Sequence, residues 1–355
     1  MEIQATSANF FDKVVTLLNE ARKAVVRNVN QTMVYTYFEI GRMIVEHEQE
    51  GKTRAEYGKK VLLQLSERLT KEFGRGFSLT NLEQMRFFYK AYSSIPQTMS
   101  EELQVTKNEN IEISEALYWK SQNNDFQLSW SHYLKLMRID DIAERRFYEI
   151  ESISNNWSLR ELQRQCDSAL YQRLVLSRDK KAIRALSEKG HIIEKPEDVL
   201  KDPYILEFTG LPESAAYSEN DLEQKLIDKL EHFLLELGKG FTFAGRQVSF
   251  TFDEEHFRVD LVFYNRILQC FVLIDLKLGK LKHQDLGQIQ MYVNYYDRYV
   301  KLEHENKTIG IVLCQDKNET LVKITLPEDN KQIFASKYQT ILPSKDEFKR
   351  VININ

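Results

Sequence analysis

Apolar positions along the chain change their period once. From residue 8 to about residue 180 they recur at steps of three and four, the spacing of one helical face. Phe10, Phe11, Val14, Val15, Leu17 and Leu18 open that pattern, and Val34, Tyr35, Tyr37, Phe38, Ile40 and Ile44 continue it to residue 49. Gly41 lowers helix propensity there and leaves room for a second helix to approach. Val61, Leu62, Leu65 and Leu69 predict a helix over 56–72. After a break at Gly74 and Gly76, Leu82, Met85, Phe88 and Tyr89 predict another, capped by Ser78 or Thr80. Residues 93–127 are acidic and poor in core residues, which predicts a flexible segment or a separate insert. Helix resumes at LSWSHYLKL and continues through RRFYEIES and, with Ser158 as cap, SLRELQRQ.

Residues 181–217 read as a join between domains, because Pro196, Pro203 and Pro212 favour extended or turning backbone. One helix is expected from Ser218, striped by Leu222, Leu226, Leu230, Phe233, Leu234 and Leu237 and ended by Gly238 and Gly240. Beyond it the apolar period falls to two. Strands are predicted near 247–252, 256–264, 268–277 and 308–314, with a helix at HQDLGQIQMYVNYYDR between the last two. LVKITL is expected to extend or flank the sheet. The organisation is therefore α+β: an all-helical domain over 8–180, a linker over 181–217, and a mixed sheet flanked by helices over 218–345.

Composition narrows the function classes. A chain of 355 residues is long enough for two domains. Its formal charge of −4 argues against a basic coat, so any nucleic acid must meet a local positive strip. Such a strip exists between residues 51 and 100, where nine Lys/Arg face four Asp/Glu. Arg75, Arg86 and Lys90 beside the Gly-rich turn, with Lys59 and Lys60 on the preceding helix, make a helix-turn-helix-like unit that can rest on phosphates or simply pack as helices. Arg160, Arg164 and Arg173 suit either phosphate or a solvated helix face. The three cysteines are far apart, which predicts neither disulfide nor structural zinc. No secretory leader or membrane-length apolar run is seen, so a cytoplasmic protein without membrane contact is expected.

The chemistry concentrates between residues 247 and 297. Asp275 and Lys277 lie on one face of a strand whose other face carries Ile274 and Leu276. A carboxylate in so apolar a strand is costly unless paired or bound to metal. Asp260 sits likewise in RVDLVFY, with Val259, Leu261 and Phe263 on the opposite face. Two converging carboxylates are the minimum for a hard divalent cation, Mg²⁺ or Mn²⁺, and Lys277 can steer a phosphate oxygen or water. Glu223, near the start of the preceding helix, is the third candidate ligand, with Glu219 and Asp221 as competitors. Gln288 and Tyr292 stand one helical turn apart on a common face. A tight turn at Asn265–Arg266 would put Asp260 opposite Phe271, about 13 Å of strand away from Asp275. The two meet only if the turn is displaced toward Leu268 or a bulge shifts the register.

These residues resemble the PD-(D/E)xK nuclease superfamily, and the whole chain resembles its YhcG-like bacterial family. The phrases GFSLTNLEQMRFFYKAY, LSWSHYLKL, FTFAGRQVSF and FRVDLVFYNRILQCFVLIDLKLGKL carry the likeness. It implies a restriction-endonuclease-like α/β domain in which Asp260, Asp275 and Glu223 hold the cation. Lys277 would act beside them, and Gln288 and Tyr292 would form the glutamine-x-x-x-tyrosine element of RecB-like members. Val259 stands where the superfamily often has proline. The implied activity is hydrolysis of DNA, with RNA not excluded, in DNA processing or defence, by a homo-oligomer or with partner proteins of a nuclease system. An inactive nuclease fold that binds nucleic acid or recruits a partner is the alternative.

Overall fold

The computed structural model describes residues 2–50, 55–93, 126–176, 180–213, 217–252 and 254–342. The expected flexible segment 93–127 lies almost entirely outside these residues, as do the side chains of Phe10, Phe11 and Lys59. Two compact units divide the chain, residues 1–162 and 163–355. No described helix is long and apolar enough to cross a membrane.

The first unit is helical, as its period requires. Helix α1 (Glu2–Glu50) is followed by α2 (Ala55–Phe73), α3 (Leu79–Tyr92), α4 (Trp130–Leu136) and α5 (Ile142–Ser154). Helix α6 (Leu159–Asp167) begins here and crosses the division. The Ser78 hydroxyl accepts from the Asn81 N–H at 3.3 Å and opens α3. Gly41 has the role its position suggests: a Cβ there would lie 2.1 Å from the Met85 carbonyl oxygen, so α1 and α3 meet backbone to backbone. Around that approach Phe38, Phe88, Phe126 and Tyr133 pack as tilted or edge-on rings 5.1–5.7 Å apart.

The second unit continues with α7 (Leu170–Leu176) and α8 (Lys180–Lys189) and is built on a sheet of six strands. They are β1 (Tyr204–Ile205), β2 (Phe241–Phe252), β3 (Glu255–Asn265), β4 (Cys270–Lys280), β5 (Ile309–Asp316) and β6 (Ile333–Gln339). Their spatial order is β1-β6-β5-β4-β3-β2. Pairing is antiparallel among β2, β3 and β4 and parallel across β4, β5, β6 and β1, a mixed sheet. One face packs on α9 (Glu219–Asp228) and α10 (Leu230–Leu237) through Leu222, Leu226, Phe233 and Leu237. The other packs on α11 (His283–Tyr295) through Leu286, Ile289, Tyr292 and Val293, with α12 (Glu319–Thr325) beside it.

Two expectations are corrected and a third is narrowed. The single helix from Ser218 is two, broken at Lys229, where the backbone leaves helical geometry (φ −119°, ψ 34°). LVKITL does not extend the sheet but flanks it, the other expected place, as most of α12, which Asn318 caps by accepting from the Leu321 N–H; the last strand comes from IFASKYQ. The stretch 181–217 is not a free join, since Val199, Tyr204 and Leu206 are buried in the sheet's core and β1 pairs with β6.

Candidate active site

The β3–β4 connection decides the register that the sequence left open. Asn265 pairs with Cys270, so the turn holds four residues, 266–269, displaced toward Leu268. Asn265 closes it with its own side chain, whose Oδ1 accepts from the N–H groups of Ile267 (3.0 Å) and Leu268 (3.1 Å). The ladder then runs to Leu261 opposite Ile274 and stops one step short of Asp260 and Asp275. In its place the Asp260 carboxylate accepts from the Leu276 N–H at 2.8 Å. The two aspartates are thus neighbours across the strands, at the point where β3 parts from β4.

That parting disturbs the alternation expected of β3. Leu261 and Phe263 face α9 and α10, but Val259 packs with Val262 and Phe250 on the α11 face. Strand period places Val259 and Val262 on opposite faces, so the strand rotates at Asp260, and its carboxylate turns to the backbone of β4. Strand β4 keeps its period. Ile274 and Leu276 belong to the α9–α10 face, and Asp275 and Lys277 alternate with them.

Asp275 is buried, and Lys277 Nζ lies 2.9 Å from its Oδ2. The contact lacks hydrogen-bond alignment, and that oxygen accepts no hydrogen bond from any described residue. Burial pushes the Asp275 carboxyl up to about 7, against the pull of Lys277 and with the further push of Asp260. Asp260 is raised for the same first reason, countered by the Leu276 N–H. Burial works against the Lys277 ammonium, yet Asp275 outweighs it and holds the lysine above its ordinary range. On α11, Gln288 Nε2 donates to the Tyr292 hydroxyl at 2.5 Å. Burial raises the Tyr292 phenol, and the charges of Asp275, Lys277 and Asp260 all act on it.

Helix α9 delivers Glu223. Its start is set by a capping box in which Asp221 accepts from the Ser218 N–H at 2.8 Å, so Asp221 is a cap and not a site residue. Glu223, half a turn on, is buried. Arg246 Nε stands 3.2 Å from its Oε1 without forming an aligned hydrogen bond, while Gln247 Nε2 donates to its Oε2. Gln247 Nε2 also lies 3.4 Å from Asp260 Oδ1 and so ties the helix carboxylate to the strand carboxylate. Glu219 reaches the end of β4, where it accepts from the Leu278 N–H at 3.2 Å. Glu219 is one of the competitors the sequence offers, whereas Gln247 and Arg246 escape a reading by pattern, because each is an ordinary polar residue on a half-exposed strand. The one sequence signal is Gly245, at a register shift in β2.

No trio of His, Cys, Asp or Glu side chains among the described residues is gathered closely enough to form a metal shell by itself. Asp260 and Asp275 nevertheless fit a hard cation that keeps several waters. They are adjacent oxygen donors, and a buried carboxylate oxygen stands without a hydrogen bond on Asp275 and on Glu223.

The basic candidates of the first unit are spread over three elements. Arg75 is in the short turn before α3, Lys60 is on α2 and Lys90 on α3, all exposed. Lys59 shares α2. Arg86 is half-buried and paired with Glu48 at 2.9 Å. In the second unit Arg173 is fully buried and Arg164 mostly so, bound to Glu236 and Glu207. Neither is a solvated or phosphate-facing residue.

Comparison with known proteins agrees with this arrangement. Residues 13–173 match the DUF1016 N-terminal domain and residues 197–353 the YhcG PDDEXK nuclease domain. A putative nuclease YhcG of Escherichia coli (strain K12) is 40% identical over 342 residues, covering 94% of this chain and 90% of that protein. Solved structures with a partial likeness include a repair endonuclease from Pyrococcus abyssi, 16% identical over 38% of this chain and 50% of that one, with a TM-score of 0.24. The EndoMS-dsDNA2 complex is 17% identical over 38% of this chain and 49% of that one, with a TM-score of 0.26. Likenesses so faint add nothing to the site. The long match to the Escherichia coli protein and the two domain matches show the family: this chain belongs to the YhcG family, a DUF1016 N-terminal domain followed by a PD-(D/E)xK nuclease domain.

Proposed function

We propose that the chain is a nuclease that hydrolyses phosphodiester bonds of DNA with Mg²⁺ or Mn²⁺, in DNA processing or defence. The observation that supports this reading is the pair Asp260 and Asp275, adjacent at the parting of β3 and β4, with Lys277 2.9 Å from Asp275. Asp260 and Asp275 would hold the cation, and Glu223 would join them directly or through water. The chemistry such an ion supplies is Lewis-acid activation of water and neutralisation of phosphate charge.

The protein's own residues prepare that chemistry. The Leu276 N–H fixes Asp260 in one orientation. Lys277, partly exposed beside Asp275, is free on its solvent side to donate to a phosphate oxygen or to orient water. Tyr292 and Gln288 hold each other within the field of Asp275, Lys277 and Asp260 and would support Lys277 or the DNA strand beside it. Arg75, Lys60 and Lys90, with Lys59, are assigned to DNA phosphates. Their replacement by alanine should weaken binding to every sequence alike and lower the salt slope by about one for each phosphate no longer neutralised.

The deciding assay incubates purified protein with circular and linear DNA, with Mn²⁺, with Mg²⁺ and with excess chelator. Wild type should cleave only with metal, and Asp275→Asn should bind DNA but not cleave. Cleavage in excess chelator, or full activity of the Asp275→Asn protein, would overturn the reading. DNA binding without cleavage under every metal condition would favour an inactive nuclease fold.

A further inference from the structure

Arg246 and Gln247 are consecutive residues of β2, and in a regular strand they would point to opposite faces. Here both reach Glu223. Two backbone features make this possible: the register shift between Phe243 and Gly245, and a left-handed conformation at Gln247, φ 50°. A non-glycine residue held there is strained, and such strain persists where surrounding contacts impose it. Three side chains supply those contacts. Gln247 Nε2 faces Glu223 and Asp260, and Gln247 Oε1 accepts from Arg258 at 3.1 Å. Arg258 thereby sets the amide's orientation, oxygen toward the guanidinium and both N–H groups toward the carboxylates.

We infer that the Gln247 amide is a stand-in for the cation. In the metal-free protein it neutralises part of the charge on Glu223 and Asp260 and keeps the two carboxylates from facing each other unpaired. On Asp260 the oxygen open to an ion is Oδ1, because Oδ2 is held by the Leu276 N–H, and Oδ1 is the one the amide faces; a divalent ion bound there displaces the amide, and Gln247 sets how tightly the site holds metal. The strained backbone assigns the residue to this work, because a relaxed strand would turn the amide away. This inference rests on the proposed cation site and deepens it, giving the site a built-in competitor that the carboxylates alone would lack.

The test compares wild type with Gln247→Leu, which removes the donors at similar volume, by calorimetric titration of Mn²⁺ into chelator-treated protein. Removing hydrogen bonds to charged acceptors from the metal-free state should tighten Mn²⁺ binding about tenfold. It should also lower the metal-free melting temperature, which Mn²⁺ then restores by more than in wild type. Unchanged or weaker Mn²⁺ binding by Gln247→Leu, with wild type binding normally, would overturn the inference and leave the cation site standing. Failure of wild type to bind Mn²⁺ would overturn the site and the inference together. Should Gln247→Leu not fold, the wild-type Gln247 side-chain amide resonance provides a second measurement. It should shift on Mg²⁺ addition, and a resonance indifferent to Mg²⁺ would equally refute the displacement.

Discussion

Two clusters of buried charge lie in the same unit, and they are built on opposite terms. Around Glu236, on α10, both carboxylate oxygens accept hydrogen bonds. Arg173 NH1 bonds its Oε1 at 2.5 Å, Arg164 NH2 reaches its Oε2 at 3.3 Å, and the Ile205 N–H donates at 3.0 Å. Arg173 also binds the backbone at Ser168 and Pro203. Burial alone would raise the Glu236 carboxyl, but Arg173, Lys201 and Arg164 bring it down to about 2. Around Asp275 there is one lysine against two aspartates, a carboxylate oxygen lacks a hydrogen bond, and the carboxyl stands near 7. A buried charge that is fully paired holds structure. One left short of positive charge is held in readiness for something that brings it.

The largest way to break this contrast is at Arg173. Arg173→Ala leaves Glu236 buried and short of its main partner, and the loss should be about 3–5 kcal/mol of unfolding free energy. Denaturant titration would measure it. Asp275→Asn, at equal burial, should leave the metal-free protein as stable as wild type or more so.

The pH dependence sharpens the comparison because the two shifts have opposite signs. Glu236 is depressed from 4.5 to about 2, so its contribution is present above about pH 4.5 and lost as pH falls toward 2. Asp275 is raised from 3.8 to about 7, so the metal-free protein is favoured while that group is protonated and loses stability as pH rises from 3.8 through 7. Unfolding free energies of chelator-treated protein across that range should show Glu236→Gln flattening the acid limb and Asp275→Asn the limb toward neutrality. The same slope in both variants would erase the distinction.

Lys277→Ala is expected to cut cleavage by about a hundredfold or more, as removal of a charge-stabilising donor does, while Mn²⁺ affinity measured calorimetrically changes little. The smallest effect belongs to Tyr292→Phe. It removes one hydroxyl from Gln288, worth about 1 kcal/mol, so cleavage should fall several-fold at most with the fold intact.

Much of the molecule is legible in the sequence because periodicity reports burial. The change from helical to strand period near Gln247 (though the strand itself starts earlier, at Phe241), the helix pair about Gly74, the close approach at Gly41 and the alternation of Ile274, Asp275, Leu276 and Lys277 all follow from which face of an element avoids water. Asp275 stands out because a carboxylate in an apolar strand needs a reason. By the same logic LVKITL stays open between two places, since a short apolar run fits either period, and only the Asn318 cap and the competing strand at IFASKYQ make it a helix.

Tertiary structure decided what depends on which segments meet. Whether Asp260 lay beside Asp275 or about 13 Å of strand away turned on a four-residue loop closed by the Asn265 side chain, a contact no spacing rule specifies. The same is true of Arg173. In the sequence it reads as an arginine facing phosphate or solvent, and only the packing of α7 near α10 supplies Glu236, 63 residues further on. Gln247 is the extreme case. Nothing in its neighbours announces a residue of the site, because its role comes from a bulge, a left-handed turn of the backbone and three side chains from other parts of the chain. Local sequence determines local burial; charge balance inside the fold is a property of the assembled molecule.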